Sequence, residues 1–234
     1  MKLLPRILLA MLVSTPALRA DILVKTGEKV AFMGDSITEG GWGNPKGYVR
    51  LVISGLAANG VTVDPVPAGI SGHKSNDMLG RLDRDVLSKK PQWMTLSCGV
   101  NDVWHGANGV PLDKYKENIA QIVEKCAAAG VKPVILTATV IHEELDSPEN
   151  QKLAPYNDFL RELAKDKKLP LADLNAMFQE RIKAENKPDQ KVLTGDGVHM
   201  NGEGNKLMAR GVLKAFGLDD AQLAKADAAW AEAK

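Results

Sequence analysis

From residue 21 onward the chain alternates between short apolar runs and longer stretches whose apolar positions recur every three or four residues. Residues 29–33 form the first run and end at Gly34-Asp35-Ser36, which predicts a strand feeding a tight turn. Residues 48–58 carry apolar positions at helical spacing and stop at Asn59 and Gly60, after which 61–63 restart an extended pattern. The cycle repeats with a helix near 76–87, a strand at 93–97, a helix near 112–129 and a strand at 133–137.

The next helix has a well-marked start. Ser147 is suited to cap it, Pro148 falls in the first turn where a missing N–H costs nothing, and Glu149 suits the positive helix end. It is predicted to run to about residue 167, followed by a fifth strand at 169–174 and, at the end of the chain, an amphipathic helix over 218–234. Each parallel strand pair needs a crossover, so this alternation predicts an α/β fold, a three-layer α/β/α sandwich around a mostly parallel five-stranded sheet. Ligands of such sheets bind at the carboxyl ends of strands, here just after Met33, Val63, Ser97, Thr137 and Leu174.

A length of 234 residues suits one domain, and 44% hydrophobic with 25% charged residues excludes a disordered chain or a disulfide scaffold. Residues 1–20 read differently: Lys2 and Arg6 flank the apolar run 7–13, and small residues follow at Ser14, Ala17 and Ala20. That is the pattern of an export leader cut after Ala17 or Ala20, leaving 21–234 as the domain. Its loss takes three basic residues and turns the formal charge from +1 to −2, which implies no affinity for nucleic acid. No later segment approaches the length of a membrane span. Cys98 and Cys126 could pair in an oxidising compartment, but they fall in an apparent strand and an apparent helix, and two buried free thiols are the favoured reading.

Four places carry candidate chemistry. Ser36 follows the first strand, where a hydroxyl would be exposed as a nucleophile or would cap a helix. Asp196 and His199 are three residues apart on a loop, close enough to set a carboxylate on imidazole Nδ1 as a general base's orienting partner or as a structural bond. After the second strand, Gly72 allows a backbone N–H to approach a substrate, and after the third, Asn101 offers a side-chain amide. Each alone is a common turn feature. Together they supply a nucleophile, a base, an orienting acid and donors for an oxyanion.

In this combination the sequence resembles the SGNH hydrolase superfamily, also known by its GDSL motif. Gly34-Asp35-Ser36 corresponds to its nucleophile block, Gly72 to its glycine block, Gly99, Asn101 and Asp102 to its asparagine block, and Asp196 with His199 to its last block. The chain departs from the family at Pro67-Ala68-Gly69, where members often carry Asn before the block-two glycine. The resemblance implies a flavodoxin-like SGNH fold without cofactor. It further implies attack by Ser36, proton shuttling by His199 held by Asp196, and an oxyanion hole of the Ser36 and Gly72 N–H groups with the Asn101 amide.

Other signals are weaker. His142 to Asp146 lacks the second histidine of a zinc-protease motif, so no metal is expected. Ser36 is followed by Ile37 and Thr38, which excludes the Gly-x-Ser-x-Gly elbow of α/β-hydrolases. Trp42, Trp104 and His105 stand just downstream of two blocks as candidate substrate contacts, while His73 beside Gly72, and Glu143 and Glu144 after the fourth strand, are weaker ones. The expectation is an exported serine esterase, periplasmic or extracellular, acting on short acyl esters, above all acetyl groups on a carbohydrate or small molecule. The alternatives are a lipid-directed esterase, thioesterase or lysophospholipase, and, outside the enzymes, a carbohydrate-binding protein on an inactive hydrolase fold. The sequence sets no oligomeric state.

Overall fold

The computed structural model describes residues 21–185, 187 and 190–232, so the expected leader lies outside the described residues. The chain runs β1 (Lys29–Gly34), α1 (Ser36–Gly43), α2 (Tyr48–Ala58), β2 (Asp64–Gly69) and α3 (Ser75–Asp85), then β3 (Trp93–Ser97), α4 (Val100–Trp104) and α5 (Leu112–Ala128). It continues through β4 (Lys132–Leu136), α6 (Pro148–Lys167), β5 (Leu171–Ala172), α7 (Leu174–Glu185), α8 (Gly202–Ala215) and α9 (Asp220–Glu232). All strand pairs are parallel, in the order β2-β1-β3-β4-β5. Helices α3, α5 and α6 pack as one group, and α2, α7, α8 and α9 as another. This is the expected three-layer α/β/α sandwich.

Strands β1 and β3 are apolar over most of their length because both their faces are covered: Val30, Phe32, Met33, Met94 and Leu96 all belong to the core. Register brings their ends level. Gly34 pairs with Gly69, and Met33 with Leu96, so β1, β2 and β3 finish side by side. The winding direction reverses between β1 and β3, and a crevice for a ligand opens at such a reversal.

Helix α6 starts as its residues predict: the Ser147 hydroxyl accepts from the Asn150 N–H, and Pro148 occupies the first turn. Elsewhere the structure corrects the sequence reading. The second strand is not 61–63 but Asp64–Gly69, whose Pro65 and Pro67 cannot donate to a ladder and are tolerated because β2 is an edge strand. The fifth strand shrinks to Leu171–Ala172, since Asp173 leaves the sheet to accept hydrogen bonds from Arg161 and Thr137. Cys98 lies just beyond β3 rather than within it, and Cys126 is on α5; both are buried and free. Among the described residues no helix is long and apolar enough to cross a membrane.

Candidate active site

Gly34 ends β1 where no side chain fits, because a Cβ would lie 2.0 Å from Thr38 Oγ1. The chain therefore turns at once into α1. Asp35 caps that helix by accepting from the Ile37 N–H at 3.0 Å, which leaves Ser36 as the first helical residue at the carboxyl edge of the sheet. Asp35 is buried, and desolvation raises its carboxyl to about 6, against the opposing hydrogen bond from Ile37 and with help from the nearby Asp102 charge.

Asp196 and His199 stand on a hairpin-like loop. Thr194 and Met200 form an antiparallel bridge, closed by bonds from the Gly195 N–H to the His199 carbonyl (2.8 Å) and from the Asn201 N–H to the Leu193 carbonyl (3.0 Å). Asn201 then caps α8 by accepting from the Gly204 N–H. Within the loop, Asp196 Oδ1 accepts from the Val198 and His199 N–H groups at 2.9 and 2.7 Å, and Oδ2 lies 2.6 Å from His199 Nδ1. Partial desolvation pushes the Asp196 carboxyl up, but the His199 ring and the two backbone donors outweigh it and hold the group well below the ordinary carboxylate range. An ionised carboxylate only accepts, so in the neutral imidazole the hydrogen that faces it is on Nδ1, and Nε2 is an acceptor. Nε2 lies 2.9 Å from Ser36 Oγ. The geometry can move a proton from hydroxyl to imidazole and stabilise the resulting imidazolium.

The residues after β2 and β3 are tied to one another and to the end of β1 and the helix it feeds. Gly72 has a left-handed φ of +77°, with open space where a side chain would stand. The loop around it is tied down three ways. The Ile70 N–H bonds the Gly34 carbonyl, the Glu39 carboxylate of α1 accepts from the Ser71 N–H and hydroxyl, and Asn101 Nδ2 donates to the His73 carbonyl at 3.2 Å. Asn101 is buried in α4, and its amide nitrogen carries a second hydrogen for a ligand. Next to it, buried Asp102 accepts from Ser75 N–H (3.0 Å) and Oγ (2.6 Å), clamping the start of α4 to the start of α3. Burial raises the Asp102 carboxyl despite these donors.

Arg81 was not anticipated. It is 4% exposed, and its guanidinium donates to the Ala68 carbonyl at 2.8 Å, the Gly34 carbonyl at 2.8 Å and His73 Nδ1 at 2.9 Å. One side chain thus ties the ends of β1 and β2 to the residue after Gly72. Its place on the inward face of α3, between Met78 and Leu82, was readable from helical spacing; its partners were not.

Of the other candidates, Trp104 ends α4 with 40% of its surface exposed, and His105 lies beside it with ring centroids 6.4 Å apart. Trp42 lies near the end of α1, where the Arg50 guanidinium stacks on its ring at 3.4 Å and occupies one face. His73 is half-buried with Nδ1 engaged by Arg81, and Glu143 binds the backbone of residues 192–194 instead of opening onto the cleft. Glu144 is exposed.

Residues 32–207 match the family described as GDSL-like Lipase/Acylhydrolase. The chain is 28% identical over 217 residues to an acetylxylan esterase of Geobacillus stearothermophilus, covering 84% of this chain and 97% of that one. It is 28% identical over 208 residues to an isoamyl acetate-hydrolyzing esterase of Saccharomyces cerevisiae, covering 81% and 86%. The crystal structure of an acetyl xylan esterase, AlAXEase, superposes with a TM-score of 0.74 at 34% identity, over 80% of this chain and 98% of that one. A match running from the first strand into α8, with relatives aligned over most of their own length, places the chain in the GDSL-like lipase/acylhydrolase family, and it is a carboxylic-ester hydrolase.

Proposed function

We propose that the protein is an exported serine esterase that removes acetyl groups from carbohydrate esters, with Ser36, His199 and Asp196 as its catalytic triad. The observation that carries this reading is the continuous hydrogen-bonded line from Asp196 through His199 to Ser36 Oγ, with steps of 2.6 and 2.9 Å. In the acylation step Ser36 Oγ attacks the ester carbonyl while His199 Nε2 takes its proton. Negative charge then develops on the carbonyl oxygen, opposite the N–H groups of Ser36 and Gly72 and the Asn101 amide. The tetrahedral intermediate collapses as the imidazolium returns its proton to the departing alcohol oxygen. Water, deprotonated by the same imidazole, repeats the sequence on the acyl-enzyme and releases acetate.

Support for acetyl comes from the relatives, two of which are acetylxylan esterases and one an esterase hydrolysing isoamyl acetate. Support for a sugar alcohol comes from Trp104 and His105, exposed at the rim of the asparagine block, where a flat ring can stack on a pyranose face. Trp42 is the lesser candidate, because Arg50 already covers one of its faces. Residues 1–20 act as the export leader, and 21–234 are the working domain.

Treatment with a fluorophosphonate tests the assignment. Intact-protein mass spectrometry is expected to show a single adduct, absent in Ser36→Ala, together with loss of esterase turnover in that variant. Labelling and turnover that survive Ser36→Ala would remove the basis of the reading.

A further inference from the structure

We propose that Glu143 is a positioning residue for ester hydrolysis: its carboxylate fixes where the 193–201 hairpin presents Asp196 and His199 to Ser36. This rests on reading those three residues as the triad. Oε2 accepts from the Val192 N–H at 2.6 Å, and Oε1 accepts from the Leu193 N–H at 2.9 Å, the Thr194 N–H at 2.7 Å and the Thr194 hydroxyl at 2.7 Å. Three consecutive backbone donors and a hydroxyl converge on one side chain from a residue some fifty positions earlier. They all lie in the segment 192–194, which enters the hairpin and leads, two residues later, to Asp196.

The platform behind Glu143 is itself rigid. Asn150, in the first turn of α6, shares its two amide hydrogens among the carbonyls of Ile141 (2.9 Å), His142 (3.2 Å) and Glu144 (2.9 Å) and accepts from the Ile141 N–H at 2.9 Å. His142 takes up a left-handed φ of +63°, and its N–H bonds the Gly197 carbonyl at 2.8 Å. The β4–α6 loop therefore grips the hairpin on both sides of Asp196, by a carboxylate before it and a backbone N–H after it.

Such a grip bears on chemistry because the acid and base are themselves loosely enclosed: the side chains of His199 and Asp196 are 44% and 55% exposed. Buried Leu193 and Val198 keep the loop against the core. Apolar packing is non-directional, however, whereas four hydrogen bonds to a fixed carboxylate set the rotation of the hairpin about its own axis. A displacement of about 1 Å at a catalytic group is enough to cost on the order of 100-fold in rate.

The test compares Glu143→Ala, Glu143→Gln and Glu143→Asp with Ser36→Ala on p-nitrophenyl acetate, alongside fluorophosphonate labelling rates at Ser36 and melting curves. Glu143→Ala is expected to lower kcat by about 30- to 100-fold with KM within about threefold, and to slow Ser36 labelling in parallel. Glu143→Gln is expected to stay within about fivefold of wild type, because the amide oxygen can stand at Oε1 and keep three of the four donors. If the alanine variant does not fold, Glu143→Asp decides: one methylene shorter, it keeps the charge but loses reach, and kcat is expected to fall about tenfold. A lowered Tm with kcat per labelled serine unchanged makes Glu143 a stabilising residue only and overturns the proposal. A rise in KM alone, or slow turnover with normal labelling, does the same. Ser36→Ala that still hydrolyses ester instead overturns the triad, whatever Glu143 does.

Discussion

Asp35 precedes the proposed nucleophile in the chain and Asn101 belongs to its proposed oxyanion hole, and losing their functional groups is expected to show in different measurements. Asp35 is buried with a carboxyl raised to about 6, so the folded state holds its proton more tightly than an ordinary aspartate does. The stability this contributes is complete below about pH 4 and is lost as the pH rises through about 6, leaving a cost of up to roughly 3 kcal/mol above that window. Asp35→Asn keeps an oxygen for the Ile37 N–H and cannot ionise. It is expected to raise Tm by several degrees at about pH 8 and by little at about pH 4, as read by differential scanning fluorimetry at the two values. Asn101 serves the developing oxyanion in the proposed mechanism. Asn101→Ala is accordingly expected to lower kcat by about 10²- to 10³-fold with KM nearly unchanged, and a rise in KM alone would make the amide a substrate-positioning group.

At the scale of elements, what could be read from the sequence was what neighbours in the chain decide. The start of α6 follows from Ser147 and Pro148 acting on their own backbone, and β3 from five consecutive residues that suit a strand covered on both faces. Strand β2 was misplaced because Pro65 and Pro67 erase the local strand signal, and only its position at the sheet edge makes them acceptable. Helices α1 and α4 are short, of eight and five residues, and carry Gly40, Gly41 or a mix of polar and apolar residues in place of a clear stripe. The first is set by its Asp35 cap, whereas the second starts at Gly99 without a side-chain cap and rests on packing at the sheet end. The candidate site shows the same division. Ser36, Gly72, Asn101, Asp196 and His199 stand in short motifs, so they could be named from sequence. The side chains that hold those motifs in place, Arg81 and Glu143, act across 47 and about 50 residues, and no local pattern encodes such partners.

Which acyl chain the enzyme accepts is decided at the scale of the whole molecule, by the apolar surface around the proposed triad. The proposed triad is approached from solvent, and among the described residues Leu23 and Trp104 are the large apolar side chains left exposed. A lipid-directed enzyme is expected to meet its substrate with a contiguous apolar surface. An extended acyl channel would add about 0.8 kcal/mol of binding per buried methylene, so its owner would show kcat/KM rising steadily from acetate to octanoate. The opposite order is expected here. On p-nitrophenyl esters kcat/KM should be highest for acetate and fall through butyrate to octanoate. Acetylated xylose should then be cleaved faster than isoamyl acetate, because a pyranose can stack on Trp104 and a branched alkyl alcohol gains less from a flat ring. Trp104→Ala should narrow that second difference without altering the order of acyl chains, since the ring faces the alcohol side in this reading. A preference for octanoate would redirect the enzyme toward lipid esters while leaving the triad assignment intact. A preference for isoamyl acetate over acetylated xylose would keep acetyl and remove the sugar.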